Sequence, residues 1–315
     1  MIYLSCQPAI PRYTWEVEVY LENFLSKGVP PQNIHVVLGF VKDINEIPKD
    51  WVKLRNKYQS VCFFFYPDTR ENNNYQPSLQ AHILEKHWLH NQWLEKEIVF
   101  FHDADFIFTK PFDFTPFLAD DIWYLSDTCS YIGANYIRSK GEIVLETMCE
   151  IAGLDKEFVI SQENNSGGAQ KLIKNVPTQY WKDAFDLQMR LWNEIPPISN
   201  KILKAKKQLG QEYMVLQHWT MSMWAELWIA WKYGKETKVP KEFDFHFAID
   251  NIDRWEERAF FHNAGVTGGN QGIFFKGMFD NELPYGYEIE NPNKNVTGWK
   301  YYELIQQVGK TSCLK

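Results

Sequence analysis

The sequence has few cysteines, and their spacing matches no metal-binding or disulfide motif. The five cysteines are scattered and odd in number, and no two of them form a C-x-x-C motif; they are Cys6, Cys62, Cys129, Cys149 and Cys313. This pattern argues against a disulfide framework and against a zinc knuckle. It favours a protein of a reducing compartment.

Long apolar runs and an amino-terminal leader pattern are also missing. No stretch of 18 consecutive apolar residues occurs, and Met1 leads directly into IYLSCQ without a charged segment followed by an apolar one. We therefore expect no membrane partner and a cytoplasmic location, in the host cytoplasm if a phage encodes the protein.

Positive charge is in deficit. The chain has 33 Lys and Arg against 40 Asp and Glu, which gives a net charge of −7. A negative overall field repels polyanions, and we interpret the short basic cluster ILKAKKQ (202–208) as a solvated helix face. The charge therefore argues against a general nucleic-acid binder.

Apolar and aromatic residues, by contrast, are abundant. Hydrophobic residues make up 45% of the 315 residues and aromatic ones 16%, which is the composition of a folded globular protein with a sizeable core. We expect most of the Trp residues to serve packing. Exposed Trp or Tyr faces are also the surfaces on which sugar rings and bases stack.

Strand-like and helical patterns alternate through the first hundred residues. The apolar runs are Ile2–Cys6, Ile34–Phe40, Val61–Tyr66 and Ile98–Phe101, and the helical patterns between them lie near Thr14–Ser26, Asn45–Tyr58 and Ser78–Lys96. Runs that are continuously apolar indicate strands covered on both faces. The sequence therefore predicts an α/β fold with a Rossmann-like, mostly parallel sheet, helices on both faces and right-handed crossovers.

The pattern loosens after Lys110, and we place a boundary between two halves of the chain there. Beyond it, the sequence predicts strands over DIWYLSD (121–127) and EFVIS (157–161), and a helix over Thr220–Gly234 that ends at the glycine.

Two acids follow the fourth apolar run, in EIVFFHDADFIFTK (97–110). Residues two apart in a strand point the same way, so we expect Asp103 and Asp105 to present both carboxylates at the carboxyl end of that strand, where ligands bind in open α/β sheets. Oxygen ligands suit a hard cation such as Mg²⁺ or Mn²⁺. On these residues alone, an acidic pair that merely begins a loop is an equally good interpretation.

The context of the two acids resembles a known family. A strand, D-x-D, the apolar FIF and a K-P turn, about a hundred residues into a βαβα series, is similar to the nucleotide-sugar-dependent glycosyltransferases of the GT-A fold. The resemblance is nearest to the retaining members and to arabinosyl, glucosyl and galactosyl transferases. It implies that Asp103 and Asp105 bind a metal and the donor diphosphate. Phosphatases that also use D-x-D carry a Thr two residues after the second Asp, where this chain has Ile107, so the sequence argues against a phosphatase.

A later segment, FFHNAGVTGGNQGIFFKG (260–277), has an order of residues that is similar to many GT-A enzymes: a late His, then a glycine-rich loop and a Lys. The resemblance implies that His262 is the third metal ligand. It also implies that the glycine loop, with Gly265, Gly268 and Gly269, and the ammonium of Lys276 bind the diphosphate. By itself, a His after two Phe is more typical of a buried structural residue.

Two further segments are assigned to the donor. NNSGGAQ (164–170) is predicted to follow a strand and open a helix; the resemblance implies that Gly168 lets the donor sugar approach the backbone and that Gln170 binds sugar hydroxyls. A glycine-rich turn is the alternative. Gln7, at the end of the first strand, is where GT-A enzymes hold the nucleoside.

One acid lies on a helix that is otherwise apolar. Met221, Trp224, Trp228 and Trp231 recur at helical spacing and are predicted to be core. Glu226 lies on roughly the opposite face, and the resemblance implies an acid there that faces the acceptor or the reacting carbon. A solvated glutamate is the alternative, and Glu212 and Asp186 are lesser candidates for the same role.

The sequence thus favours a metal-dependent hexosyl- or pentosyltransferase. It would move a sugar from a uridine diphosphate sugar to an acceptor hydroxyl on a glycan, a protein or a hydroxymethylated base of phage DNA, although the net charge argues against DNA. Residues 1–110 would form the nucleotide-sugar half and 111–315 the acceptor half of one catalytic domain, with Glu226, Lys276 and Gln170 in catalysis. The alternative is a noncatalytic sugar- or nucleotide-binding protein.

Overall fold

A computed structural model describes residues 1–41, 43, 47–268 and 272–315. Its strands are β1 (Ile2–Pro8), β2 (Ile34–Phe40), β3 (Cys62–Pro67), β4 (Ile98–Phe101), β5 (Phe106–Phe108), β6 (Trp123–Asp127), β7 (Gly167–Lys174), β8 (Thr237–Lys238), β9 (Phe245–Phe247) and β10 (Phe260–His262). Its α-helices are α1 (Pro11–Ser26), α2 (Lys49–Lys57), α3 (Ser78–His90), α4 (Cys129–Ile132), α5 (Ala134–Ser139), α6 (Glu142–Ala152), α7 (Lys156–Ser161), α8 (Thr178–Gln208), α9 (Met221–Lys232) and α10 (Thr297–Val308). Asn45, the predicted start of a helix, and Gly269 lie outside the described residues.

The chain divides into two compact units. Unit 1 consists of Met1–Asp68, Val99–Pro116 and Glu242–Lys315, and unit 2 of Thr69–Ile98 and Phe117–Lys241. Each unit collects segments from both sides of residue 110. The division of roles between residues 1–110 and 111–315 stays a prediction.

The four predicted strands of the first hundred residues form the main sheet of unit 1. Their order is β3-β2-β1-β4, and every neighbouring pair is parallel. All seven residues of β2 are buried, as expected for an apolar run covered on both faces. The predicted fold class, an α/β protein with a Rossmann-like, mostly parallel sheet flanked by helices, is confirmed.

A smaller sheet in unit 1 has the order β5-β10-β9. Strand β10 pairs antiparallel with β5 and parallel with β9. Helix α1 also binds the backbone of β5. The Asn23 side-chain amide donates to the Phe108 carbonyl at 3.0 Å and accepts from the Phe108 N–H at 2.8 Å. This sheet fixes the chain that follows Asp105.

Unit 2 contains β7, β6 and β8, with β7 antiparallel and β8 parallel to β6. Strand β6 lies within the predicted strand 121–127, and the predicted helix over 220–234 is α9. The four apolar residues that define its core stripe are all buried, as predicted: Met221, Trp224, Trp228 and Trp231. No helix among the described residues combines the length and apolar character needed to cross a membrane.

Two predictions for unit 2 are wrong. EFVIS is not a strand but most of helix α7, which begins because the Asp155 side chain accepts from the N–H of Phe158 at 2.8 Å and so caps the first turn. The segment 164–170 therefore begins in the 3-10 helix that comes after α7, and it leads into strand β7 rather than into a helix.

Acid should destabilise the fold through His35. This residue of β2 is 3% exposed and lies against the ring of Phe64, and its burial lowers its pKa to about 4. Between pH 6.5 and 4 the unfolded chain binds a proton that the folded chain does not. The free energy of unfolding therefore decreases as the pH is lowered, by about 2 kcal/mol between pH 7 and pH 5. Urea unfolding of wild type and His35→Gln at pH 7 and pH 5 measures this: the difference between the two proteins should shrink by that amount at pH 5. A difference that does not change with pH would contradict the assignment.

Candidate metal centre

The D-A-D segment is a turn between β4 and β5. Strand β4 ends at Phe101, the N–H of His102 still donates to the Leu4 carbonyl at 3.0 Å, and the N–H of Phe106 donates to the Asp103 carbonyl at 3.3 Å. The prediction that Asp103 and Asp105 point the same way as residues of a strand is therefore wrong. The two carboxylates come from a turn at the end of the strand, at the sheet edge that was predicted.

The pairing of β5 with β10 brings His262 to this turn. His262 lies opposite Phe106 in the register, and the N–H of Asn263 donates to the Asp105 carbonyl at 3.1 Å. The Nε2 atom of His262 is 3.2 Å from Oδ1 of Asp105 and 3.4 Å from Oδ2 of Asp103. The structure thus brings the three predicted ligands together, with one ligand atom from each within 4.8 Å of the others.

The centre is partly enclosed and carries strong charge interactions. The side chain of Asp105 is 4% exposed and that of His262 12%, whereas that of Asp103 is 44% exposed. Burial would raise the pKa of Asp105, but the nearby Lys276 ammonium and His262 outweigh it and hold this pKa well below its usual range. Burial lowers the pKa of His262, and the charge and hydrogen bond of Asp105 more than reverse this, so the pKa is raised. Asp105 is therefore an anion, and it attracts the Lys276 ammonium and the His262 imidazole.

Lys276 is one of these cationic groups. Its Nζ donates a hydrogen bond to Oδ2 of Asp105. In the loop that precedes it, Gly265 and Gly268 have φ angles of +88° and +96°, a region that favours glycine. The contact of these three residues with a diphosphate stays a prediction.

The donor set suits a divalent cation. Two carboxylates and an imidazole converge from a turn and the end of a neighbouring strand, and the more buried carboxylate is held ionised. Carboxylate oxygens suit Mg²⁺ and Mn²⁺, and an imidazole can complete a site for Mn²⁺. The three side chains of Asp103, Asp105 and His262 therefore fit such an ion.

Gln7 lies at the carboxyl end of β1, the strand next to β4. It is 4% exposed, and neither its amide oxygen nor its amide nitrogen has a hydrogen-bond partner in the described part of the chain. Buried polar groups are normally paired, so an unpaired amide is available to a bound molecule. The role of Gln7 in holding the nucleoside stays a prediction.

Sequence reasoning missed Arg12 and Glu16 on helix α1. Glu16 is 1% exposed, its Oε1 lies 3.7 Å from Nε of Arg12, and Nη1 of Arg12 donates to Asp280 at 3.2 Å. Burial raises the pKa of Glu16 to about 7, against the opposing effect of the Lys276 charge. The only signal in the sequence is that two acids, Glu16 and Glu18, stand in the otherwise largely apolar stretch TWEVEVYL (14–21). An i, i+4 pair such as Arg12 and Glu16 usually lies on a helix surface.

Unit 2 contains the other predicted residues. Glu226 is 3% exposed and forms an ion pair with Lys171 of β7, so the solvated alternative for Glu226 is wrong. Glu226 and Gly168 line one small pocket together with Trp123, Lys171, Tyr180 and Met223.

Three other candidates of unit 2 are placed differently. Gln170 is fully buried in β7 and accepts a hydrogen bond from Ser126 Oγ at 2.9 Å. Glu212 is exposed, and Asp186 is an exposed partner of Lys182 at 2.6 Å. The catalytic roles of Gln170 and Glu226 stay predictions.

The sequence matches no family model and no curated protein. Among solved structures, the chain is similar to the bifunctional glycosyltransferase WbbM, with 10% identity and a TM-score of 0.49 over 99% of this chain; it spans about half, 51%, of the WbbM chain. It is also similar to the galactosyltransferase LgtC, with 12% identity and a TM-score of 0.44 over 99% of this chain and 96% of LgtC. Mouse xyloside xylosyltransferase 1 is similar with 12% identity and a TM-score of 0.39, over 83% of this chain and 96% of its own.

Proposed function

We propose that this protein is a GT-A glycosyltransferase that transfers a sugar from a uridine diphosphate sugar to an acceptor hydroxyl. The observation that supports this most directly is the convergence of Asp103, Asp105 and His262, with Lys276 beside them. Two carboxylates, an imidazole and an ammonium form a set that can hold a divalent cation and a diphosphate together. The D-x-D resemblance predicts this set.

Each residue of unit 1 has a defined task in the proposal. Asp103, Asp105 and His262 would hold Mn²⁺ or Mg²⁺, which when bound neutralises the diphosphate as it leaves. The Lys276 ammonium binds and stabilises the leaving diphosphate oxygens, with the loop amides at Gly265 and Gly268. The Gln7 amide binds the nucleoside.

The acceptor is assigned to residues of unit 2. Glu226 orients the acceptor hydroxyl or stabilises positive charge on the reacting sugar. Gly168 lets the donor sugar approach the backbone, and Gln170 binds its hydroxyls. The hydroxyl belongs to a glycan, a protein or a hydroxymethylated DNA base, and the net charge of −7 makes DNA the least favoured of the three. We further propose that the enzyme works in the cytoplasm, as a hexosyl- or pentosyltransferase.

Uridine diphosphate should bind tightly only when a metal ion is present. The carboxylates of the centre repel a diphosphate, so removal of Mn²⁺ with a chelator should lower the affinity by at least about 100-fold. Calorimetry of uridine diphosphate binding with Mn²⁺ and with chelator measures this. Equal affinity under the two conditions would contradict the metal assignment.

A screen of nucleotide sugars for Mn²⁺-dependent donor hydrolysis then identifies the sugar. The same screen separates the enzyme from a noncatalytic binding protein. Such a protein would hold sugar or nucleotide without Mn²⁺ and would hydrolyse no donor.

A further inference from the structure

We propose that Glu16 is the alternative partner of the Lys276 ammonium, and that it receives this charge when a divalent cation binds beside Asp105. Glu16 would then be a positioning residue, which acts through Lys276 and touches neither cation nor substrate. This inference rests on the proposed cation site, and it adds a reason for the buried charges on α1.

The need for a second partner follows from the contacts of Asp105. Lys276 Nζ donates to one oxygen of this carboxylate, and His262 Nε2 lies 3.2 Å from the other. A divalent cation on the same carboxylate would lie next to the ammonium, and two positive charges so close repel each other strongly in a partly buried place. Cation binding therefore requires that Lys276 moves, or else the cation binds weakly.

Helix α1 lies along the segment that carries Lys276. Nε1 of Trp15 donates to the Phe279 carbonyl at 3.4 Å, and the Trp15 ring meets the Phe274 ring edge to face at 5.8 Å. Arg12, one helical turn before Glu16, donates to Asp280 at 3.2 Å. The residues on either side of Lys276 thus contact the turn of α1 that contains Glu16.

One carboxylate oxygen of Glu16 lacks a hydrogen-bond donor among the residues that the structure describes. Glu16 is 1% exposed, and its Oε1 has no hydrogen-bond partner within the described ranges; the nearest cation, Nε of Arg12, is 3.7 Å away. An unpaired buried carboxylate oxygen is costly. Lys276 can meet this need, because its side chain is flexible and its ammonium has three donors. The Lys276 charge already acts on Glu16. Burial raises the pKa of Glu16, and attraction to the Lys276 ammonium is the strongest interaction that lowers it again.

A double-mutant cycle on Mn²⁺ affinity tests the inference without nucleotide. Wild type, Glu16→Gln, Lys276→Met and the double variant are titrated, and free Mn²⁺ is measured by electron paramagnetic resonance. Lys276→Met should bind Mn²⁺ about 10-fold more tightly, because the competing charge is gone. Glu16→Gln should weaken Mn²⁺ binding about 10-fold in wild type but change it less than about 2-fold in the Lys276→Met background.

The outcomes separate the inference from the proposed function. An equal effect of Glu16→Gln in both backgrounds would mean that Glu16 acts on the cation through its own field, and it would overturn the inference alone. A lack of Mn²⁺ binding in all four proteins would overturn the cation site as well. Glu18→Gln is the matched control, since Glu18 is a fully buried acid of the same helix that pairs with Lys57 instead, and Mn²⁺ affinity should not change.

A second measurement needs no variant. A crystal structure of the wild-type protein with Mn²⁺ should show Lys276 Nζ within hydrogen-bonding distance of Glu16 Oε1. An ammonium that stays on Asp105 beside a bound Mn²⁺ would overturn the inference.

Discussion

Replacement of Asp105 by asparagine is expected to abolish Mn²⁺-dependent binding of uridine diphosphate and to lower sugar transfer by at least about 100-fold, since even partners of metal ligands contribute 10- to 100-fold. Asp105 is the most buried of the three ligands, and both of its oxygens contact groups of the centre. The amide of asparagine has the same size but no charge, and the remaining Asp103 and His262 form a weaker site. Calorimetry and a transfer assay measure the two losses.

Glu18→Gln provides the opposite pattern as a control for folding. Glu18 is fully buried and accepts hydrogen bonds from Lys57 at 3.0 Å, Tyr285 at 2.7 Å and the N–H of Cys313 at 3.2 Å, which hold the carboxyl-terminal segment. This variant should lose thermal stability and keep Mn²⁺ binding, whereas Asp105→Asn should lose binding and keep most of its stability. If Asp105→Asn melts as early as Glu18→Gln, Asp105 is a structural residue.

The strands of unit 1 could be predicted because their signal is local. Continuous apolar runs placed β2 and β4 at the bounds that the structure has, and β1 and β3 within two residues of theirs. Burial of a strand on both faces leaves this pattern in the sequence itself. The D-x-D, the late His and the Lys were recognisable for a similar reason, since their residue types suit metal and phosphate chemistry.

The geometry of the centre could not be predicted in the same way. Whether Asp103 and Asp105 lie in a strand or a turn depends on the pairing of Phe106 with His262, more than 150 positions further along the chain. No local pattern near the two acids carries that information. Helix α7 is different, because its capping residue Asp155 precedes the apolar run and could have corrected the predicted strand.

Buried acids were the other gap. Glu16 and Glu226 both lie on helices, and helical spacing predicts which residues share a face but not what covers that face. Lys171, the partner of Glu226, comes from a strand 55 positions away. An acid whose cation is supplied by tertiary packing looks in sequence like one that faces water.

This pairing changes what should be expected of Glu226. The side chain of Lys171 is 10% exposed and that of Glu226 4%, so Glu226→Gln leaves a largely buried ammonium without its carboxylate. Loss of one partner of a buried ion pair costs about 3–5 kcal/mol, whereas replacement of both partners by apolar groups is often close to neutral. Urea unfolding should therefore show a large loss of stability in Glu226→Gln and a much smaller one in Lys171→Met/Glu226→Leu.

The double variant is the right protein in which to test a catalytic role of Glu226. If Glu226 orients the acceptor, transfer should stay at least about 100-fold below wild type in the stable double variant, within the 10²- to 10⁴-fold range of general acid–base groups. Uridine diphosphate affinity should remain near wild type, because the predicted nucleotide and metal ligands are in unit 1. Transfer that recovers together with stability would show that the Lys171–Glu226 pair only supports the fold. The acid of the acceptor side would then have to be sought at Glu212 or Asp186, which are both exposed.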